Sequence, residues 1–333
     1  MNSKTLRFLG FIVAFLIVAW LLVESGDETD LPDSGMLLFP DMESALNDVQ
    51  SISISRAGTD TLVINRVEGA WGLADRGNYP ALVDSIRDVL MAMAQATVVE
   101  PKTADPARHS RLGVDDPVND LSKAVLVKAV TGNREFSLIF GNVAQGTYRY
   151  ARIAGDDQSW LIDQNPEIPT SVGDWLEADI VDIPSTRIRS VTITHPDGES
   201  ITASKESESD TDFIVADIPE ERELSYSTVA NGFAGALNDL DLDDVRATLA
   251  AEPEGVVAEF VTFDGLKVTA TTVSADGEHW LSLMAESLTD DAGDAEAINA
   301  RTAGWQFRIA DYKANLLNRR WEDILKPAET EDQ

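Results

Sequence analysis

Val49-Gln50-Ser51-Ile52-Ser53-Ile54 and Ile188-Arg189-Ser190-Val191-Thr192-Ile193 are two stretches in which apolar and polar side chains alternate. That is the period of a half-buried strand. A turn follows each: Ala57-Gly58-Thr59-Asp60 in the first case and Pro196-Asp197-Gly198 in the second. Asp and Gly supply the local hydrogen bonding and positive φ that such turns need. Further strands are expected over 61–64 and around Trp71 and Leu73 in the first case, and over 200–203 and 213–215 in the second. Each stretch therefore opens a small antiparallel meander, and the chain after its N-terminal segment reads as one pattern written twice.

The parallel continues downstream. Asn78-Tyr79-Pro80 reads as a helix start, because proline's missing N–H has no helical partner in the first turn. Leu82, Ile86, Val89, Leu90 and Met93 then share one face. In the second copy Ser225 or Ser227 caps a helix whose stripe is Val229, Phe233, Leu237 and Leu240. Hairpins follow, 125–130 with 136–140 about Thr131-Gly132-Asn133, and 257–263 with 267–273 about Asp264-Gly265. Strands over 148–153 and 159–162 extend the first sheet, and strands over 279–284 and 305–309 the second. Trp160 then precedes Trp175, and Trp305 precedes Trp321, at nearly the same spacing, each second tryptophan opening a short helical segment. The expected fold is α+β: two tandem similar units, each a mostly antiparallel sheet with one long amphipathic helix, over residues 45–183 and 184–326.

Ahead of the units, Lys4 and Arg7 precede an apolar run over residues 8–23, and Glu24, Asp27, Glu28 and Asp30 follow it. The run is a little short of the ~20 residues that span a hydrocarbon core, and Leu6 extends it if Arg7 snorkels. Trp20-Leu21-Leu22-Val23-Glu24 offers no small-x-small cleavage site, so the segment reads as a retained transmembrane helix. Positive charge before it and acid after it place the N-terminus in the cytoplasm and the body outside, in the periplasm at the inner membrane. The expected organisation is residues 1–26 as tip and anchor, 27–44 as linker, and 327–333 as an acidic tail.

A hydrophobic content of 44% in 333 residues is enough to bury a real core. With no cysteine there is no disulfide, thiolate metal site, cysteine nucleophile or lipoprotein anchor. The formal net charge of −32 repels phosphate backbones and anionic headgroups, which excludes nucleic acid as a partner. The acids are spread along the chain, as a solubility adaptation spreads them.

Several phrases together resemble a known bacterial family. They are Gly69-Ala70-Trp71-Gly72-Leu73, the amphipathic stretch after it, Leu112-Gly113-Val114-Asp115-Asp116-Pro117, the hairpin end Phe140-Gly141-Asn142 and the aromatic-basic strand Tyr148-Arg149-Tyr150-Ala151-Arg152. With the N-terminal anchor they make the chain similar to the domain-of-unknown-function 4340 family of membrane-anchored extracytoplasmic proteins. The likeness is clearest over residues 45–180 and looser beyond, where the Leu-Gly-x-Asp-Asp-Pro phrase is absent. Family members are often encoded beside gliding-motility-type ABC transporters and their auxiliary subunits, which implies a supporting role at the envelope. The family brings no catalytic residues to transfer.

The residues themselves nominate no catalytic, cofactor-binding or metal site. His109, His195 and His279 are far apart in sequence, with none of the close pairing of a helix-borne zinc site. His195, before Pro196-Asp197-Gly198, reads as a turn residue. Asp239-Leu240-Asp241-Leu242-Asp243-Asp244 resembles the start of a calcium loop, but Asp244 and Ala250 stand where glycine and glutamate are required. It reads instead as a solvated helix end with inward leucines. Residues 290–296 read as a polar loop, and Asp115-Asp116-Pro117 as a turn. No nucleophile elbow, phosphate loop or dinucleotide fingerprint is present.

The function expected is therefore non-enzymatic: a membrane-tethered accessory or scaffold protein that acts through protein contacts, its partner an integral membrane or envelope protein such as an ABC-type transport system. The alternative is an extracytoplasmic solute- or glycan-binding subunit, in which some of the seven tryptophans stack on sugars. A hydrolase is the least favoured. A cleft lined by exposed aromatics would mark the binder, and an apolar patch on a sheet edge or helix the scaffold.

Overall fold

A computed structural model describes residues 35–118, 121–249 and 253–327 of the chain. The apolar run at 8–23, with Trp20, lies outside them, as does the tail from 328. Among the described residues no helix is long and apolar enough to cross a membrane.

The first half contributes β1 (Ser51–Arg56), β2 (Leu62–Val67), β3 (Ala70–Leu73), β4 (Tyr79–Pro80), β5 (Val98–Pro101), β6 (Val125–Val130), β7 (Glu135–Val143), β8 (Arg149–Ile153) and β9 (Ser159–Ile162). They form one sheet in the order β4-β3-β2-β1-β6-β7-β8-β9-β5. After β10 (Asp179–Val181), the second half contributes β11 (Ile188–Thr194), β12 (Ser200–Ser204), β13 (Ile214–Val215), β14 (Leu240–Asp241) and β15 (Asp244–Ala247). It closes with β16 (Val256–Thr262), β17 (Leu266–Ala275), β18 (Glu278–Ser287) and β19 (Trp305–Arg308). The second sheet runs β13-β12-β11-β16-β17-β18-β19-β15. Apart from β4, the two orders are the same. In each sheet a three-stranded meander pairs its first strand with a second meander, whose last strand is flanked by the strand after the helical connection. The chain is thus mixed α+β, and every strand pairing among the described residues is antiparallel. Trp160 and Trp305 lie in corresponding strands, β9 and β19. Trp175 ends the short helix Gly173–Trp175, whereas Trp321 begins the helix Trp321–Ile324.

Burial alternates along the strands, as in β6 and β17, so each sheet presents one face to the interior. Those faces and the helix Val83–Gln95, which buries Ile86, Val89, Leu90 and Met93, enclose one apolar core running from Leu38 to Leu325. The core begins inside the expected linker. Leu38, Met42 and Ala45 are buried, and Leu38 N–H donates to Ala96 O at 2.7 Å.

Four expectations are corrected. The first helix starts at Val83 rather than near Pro80: Asn78 has φ +62°, and Tyr79–Pro80 pairs with β3 as an edge strand, where proline's missing donor is tolerated. The second copy has no long helix over its apolar stripe at 229–240. Its helical segment is Ala230–Ala234, because Gly232 and Gly235 interrupt the stripe and each costs about 1 kcal/mol of helix propensity. Phe233, Leu237 and Leu240 are nonetheless buried, and buried Lys313 donates from Nζ to Ala236 O at 3.3 Å and to Asn238 O. The run at 239–244 is a pair of short strands, β14 and β15, rather than a helix end; its strict apolar–polar alternation has period two, with Leu240 and Leu242 inward. The stretch at 290–296 is a loop only as far as Ala292; from Gly293 it opens the helix Gly293–Thr302, with Asp291 Oδ1 accepting from Gly293 N–H at 3.2 Å.

Arg187 joins that helix to the β16–β17 turn, holding Asp264 at 2.6 Å and Asp294 at 2.7 Å. A hydrogen bond from the Thr262 hydroxyl, then Arg187, holds the Asp264 carboxyl below its ordinary range. A depressed carboxylate pKa contributes stability that is present above the unfolded value, near pH 4, and is lost as pH falls through the folded value. Asp264→Asn should therefore flatten the acid limb of the stability-against-pH curve below about pH 4. Urea unfolding at several pH values checks this; an unchanged acid limb overturns it.

Candidate functional site

A cleft of about 820 Å³ opens where the two halves meet. One wall is the start of the helix Val83–Gln95, with Leu82, Ser85 and Asp88, and another is the segment from Glu167 to Ala178. Asp241, Leu242 and Asp243, with Arg308, close it from the second half.

Close backbone contact sets this geometry. β10 pairs with β14, Asp179 opposite Asp241, and Leu242 N–H donates to Ala178 O at 2.9 Å. Gly173 sits so near the other half that a Cβ there would be 2.7 Å from Asp243 O. Beside the cleft, Arg76 holds Asp244 through Nε at 2.7 Å and Nη2 at 3.0 Å, a fork that ties the first half to β15. The Tyr79 ring packs edge-on to Trp305 and Phe307, at centroid distances of 5.2 and 6.1 Å. Burial pushes the Tyr79 phenol up to about 12. It remains a neutral donor, reaching Glu177 O at 3.3 Å.

The lining is acidic. Asp88, Glu167, Asp174, Asp241 and Asp243 face it, against the single guanidinium of Arg308, itself held by Glu278 at 3.0 Å. No aromatic side chain lines it. Apart from Trp20, outside the described residues, every tryptophan is buried or half-buried in packing. Trp175 Nε1 donates to Pro169 O at 3.2 Å, Arg246 stacks on Trp280 at 3.9 Å, and Arg66 lies over Trp71. A cleft like this can attract a cationic surface by its field.

The histidines are not brought together. His109 Nε2–H donates to Asp157 O at 2.8 Å, and His195 Nε2–H to Arg319 O at 3.0 Å, both as buried struts. His279 pairs through Nδ1 with the Ser274 hydroxyl at 2.7 Å. Among the described residues no group of three or more His, Asp or Glu side chains could hold a metal ion. Asp290 and Asp291 gather no such group, and of the acids in the 239–244 run only Asp241 and Asp243 reach the cleft.

Three of the phrases that carried the family likeness, 112–117, 140–142 and 148–152, converge in a structural knot on the far face of the first sheet. Gly113, at φ +68°, ends the helix His109–Leu112, and a Cβ on Gly141 would lie 2.4 Å from Leu112 O. Arg152, 4% exposed, donates from Nε to Val114 O at 2.7 Å, from Nη1 to Asp156 O at 2.9 Å and from Nη2 to Asp116 at 2.8 Å. Asp116 is thus more than a turn former: it neutralises a buried guanidinium. The aromatic-basic strand is the one signal that pointed to Arg152. Nothing local in the sequence pointed to Arg76, Tyr79 or Arg308, whose partners are remote in the chain.

The family model described as Domain of unknown function (DUF4340) matches residues 71–257, more than half the chain, and the chain belongs to that family. The match takes in the knot and every lining residue of the cleft except Arg308. Comparison with curated proteins and with solved structures gives no match.

Proposed function

We propose that the chain is a membrane-tethered, extracytoplasmic accessory or scaffold protein that works through protein contacts, with an ABC-type transport system as its partner. The observation that carries this reading is the make-up of the cleft between the halves: acidic, without an aromatic platform, while the tryptophans are spent on packing. A glycan-binding subunit would present those rings to its ligand. The apolar run at 8–23 with its flanking charges supports the tether, and the family resemblance supports the transport partner. A tether of this kind raises the body's effective concentration at the bilayer without tight intrinsic affinity. In this reading the cleft receives a basic segment of the membrane partner.

A photo-crosslinking side chain placed at Ser85 in intact cells should capture one integral membrane protein reproducibly. Charge reversal at the exposed pair Asp241 and Asp243 should cut the yield about tenfold, equivalent to about 1.4 kcal/mol. Removing residues 1–26 should release a folded body from the membrane fraction and lower the yield as well. Capture that ignores both changes, or mature protein beginning near Ser25, would sink the proposal.

A further inference from the structure

The two halves solve the same local problem differently at their first hairpin turn. Arg56, the last residue of β1, donates from Nη2 to Ile168 O at 2.8 Å. His195, just after β11, donates from Nε2 to Arg319 O at 3.0 Å. Each acceptor lies between the last strand of the second meander and the short helix carrying the terminal tryptophan. A single N–H makes this strut in the second half. In the first half a half-buried guanidinium makes it, and burial holds that guanidinium below its ordinary pKa with no carboxylate acting on it. Arg149 braces the same loop, donating to Pro166 O at 3.2 Å and to Gly141 O at 2.8 Å. Burial, then the charge of Arg56, lowers its pKa too. Two adjacent guanidiniums with no carboxylate partner among the described residues are unexpected in a chain of net charge −32.

The second half carries a carboxylate on the equivalent hairpin turn. Glu199, closing the β11–β12 turn, accepts from Arg320 Nη1 at 2.6 Å and from Trp321 N–H at 2.7 Å. Between the β1–β2 turn and the segment before Trp175, the first half instead has a cavity of about 250 Å³. Arg56, Thr59, Thr61, Thr170 and Ser171 line it, above Trp175. Of the carboxylates on its wall, Asp75 is already bound by Arg76 at 2.9 Å, and Asp60 is exposed on the turn. Among the described residues the Arg56 donors other than Nη2 have no partner, and four hydroxyls stand around them, of which Thr61 already meets the Ser55 hydroxyl at 2.9 Å and Thr59 donates to Arg56 O at 3.5 Å.

We propose that this cavity is an oxyanion site, in which Arg56 and the surrounding hydroxyls hold the carboxylate or phosphate group of a small ligand. The volume suits a small acid rather than a drug-sized ligand, and a charge-assisted fork on Arg56 supplies the affinity.

The test uses the full chain in detergent, titrated with sodium phosphate and with sodium acetate and followed by thermal unfolding and calorimetry. Sodium chloride at matched ionic strength is the reference, since any salt relieves the self-repulsion of so acidic a chain. A saturable shift beyond that of chloride is expected, and Arg56→Gln should weaken binding about tenfold. Response to phosphate alone assigns a phosphate ester, response to acetate alone a carboxylic acid, and response to both the shared chemistry. Thr61→Val with Thr170→Val, which leaves the Arg56 strut intact, should weaken binding about threefold and decides the matter if Arg56→Gln does not fold. Equal shifts from chloride, or unchanged binding in the variants, would overturn the site.

Discussion

Arg152→Met should lower the unfolding free energy by about 3 kcal/mol, among the largest single losses in this chain. The methionine keeps most of the stem's volume, so the loss isolates the head group. It strips donors from Val114 O and Asp156 O and ends the pairing with Asp116. Beside these groups lies the small apolar cluster of Val114, Ala124 and Ile139, separate from the main core, where water cannot readily replace the guanidinium. Asp116→Asn should cost far less, about 1 kcal/mol or below, because that carboxylate is 61% exposed and solvent screens it. Urea unfolding of the two variants beside the parent measures the difference. Equal losses would mean that the ion pair, and not the backbone clasp, carries the knot.

Gly173→Ala should cost about 2–3 kcal/mol and act at the seam rather than within either sheet. Its Cβ would lie 2.7 Å from Asp243 O and 3.1 Å from Asp243 C, and a backbone cannot swing aside as a side chain can. Relief requires β14 to move away from β10, which loosens the Leu242–Ala178 hydrogen bond and the Tyr79–Trp305 contact. Hydrogen exchange should accelerate over 178–182 and 240–247 while β6 and β17 stay protected. Uniform acceleration would instead mean that the halves unfold as one unit and the seam has no stability of its own. Because the same residues line the cleft, the proposed capture of a membrane partner should fall in this variant as well.

Much of the architecture is legible in local pattern. Strands 159–162 and 305–309 and the hairpins at 125–140 and 257–273 follow from period-two alternation and turn residues, which depend on near neighbours. Where the structure departs from local pattern, both nearby residues and long-range pairing are the cause. The stripe at 229–240 was apolar at helical spacing, yet its two glycines and the pairing of Leu240–Asp241 with β10 outweighed it. The alternation within 239–244 signalled strands, although its acids suggested a solvated helix end.

The sequence alone determined the antiparallel α+β class, the repeated order of strands and the strongly acidic charge balance, because periodicity, turn chemistry and charge are properties of composition and of neighbouring residues. Only the tertiary structure decided that Arg76 meets Asp244, that Arg152 is clasped by Val114 and Asp116, and that Arg56 reaches Ile168 O. These are contacts between residues far apart in the chain. Their free energy depends on burial and on a few tenths of an ångström of approach, and no local pattern encodes either.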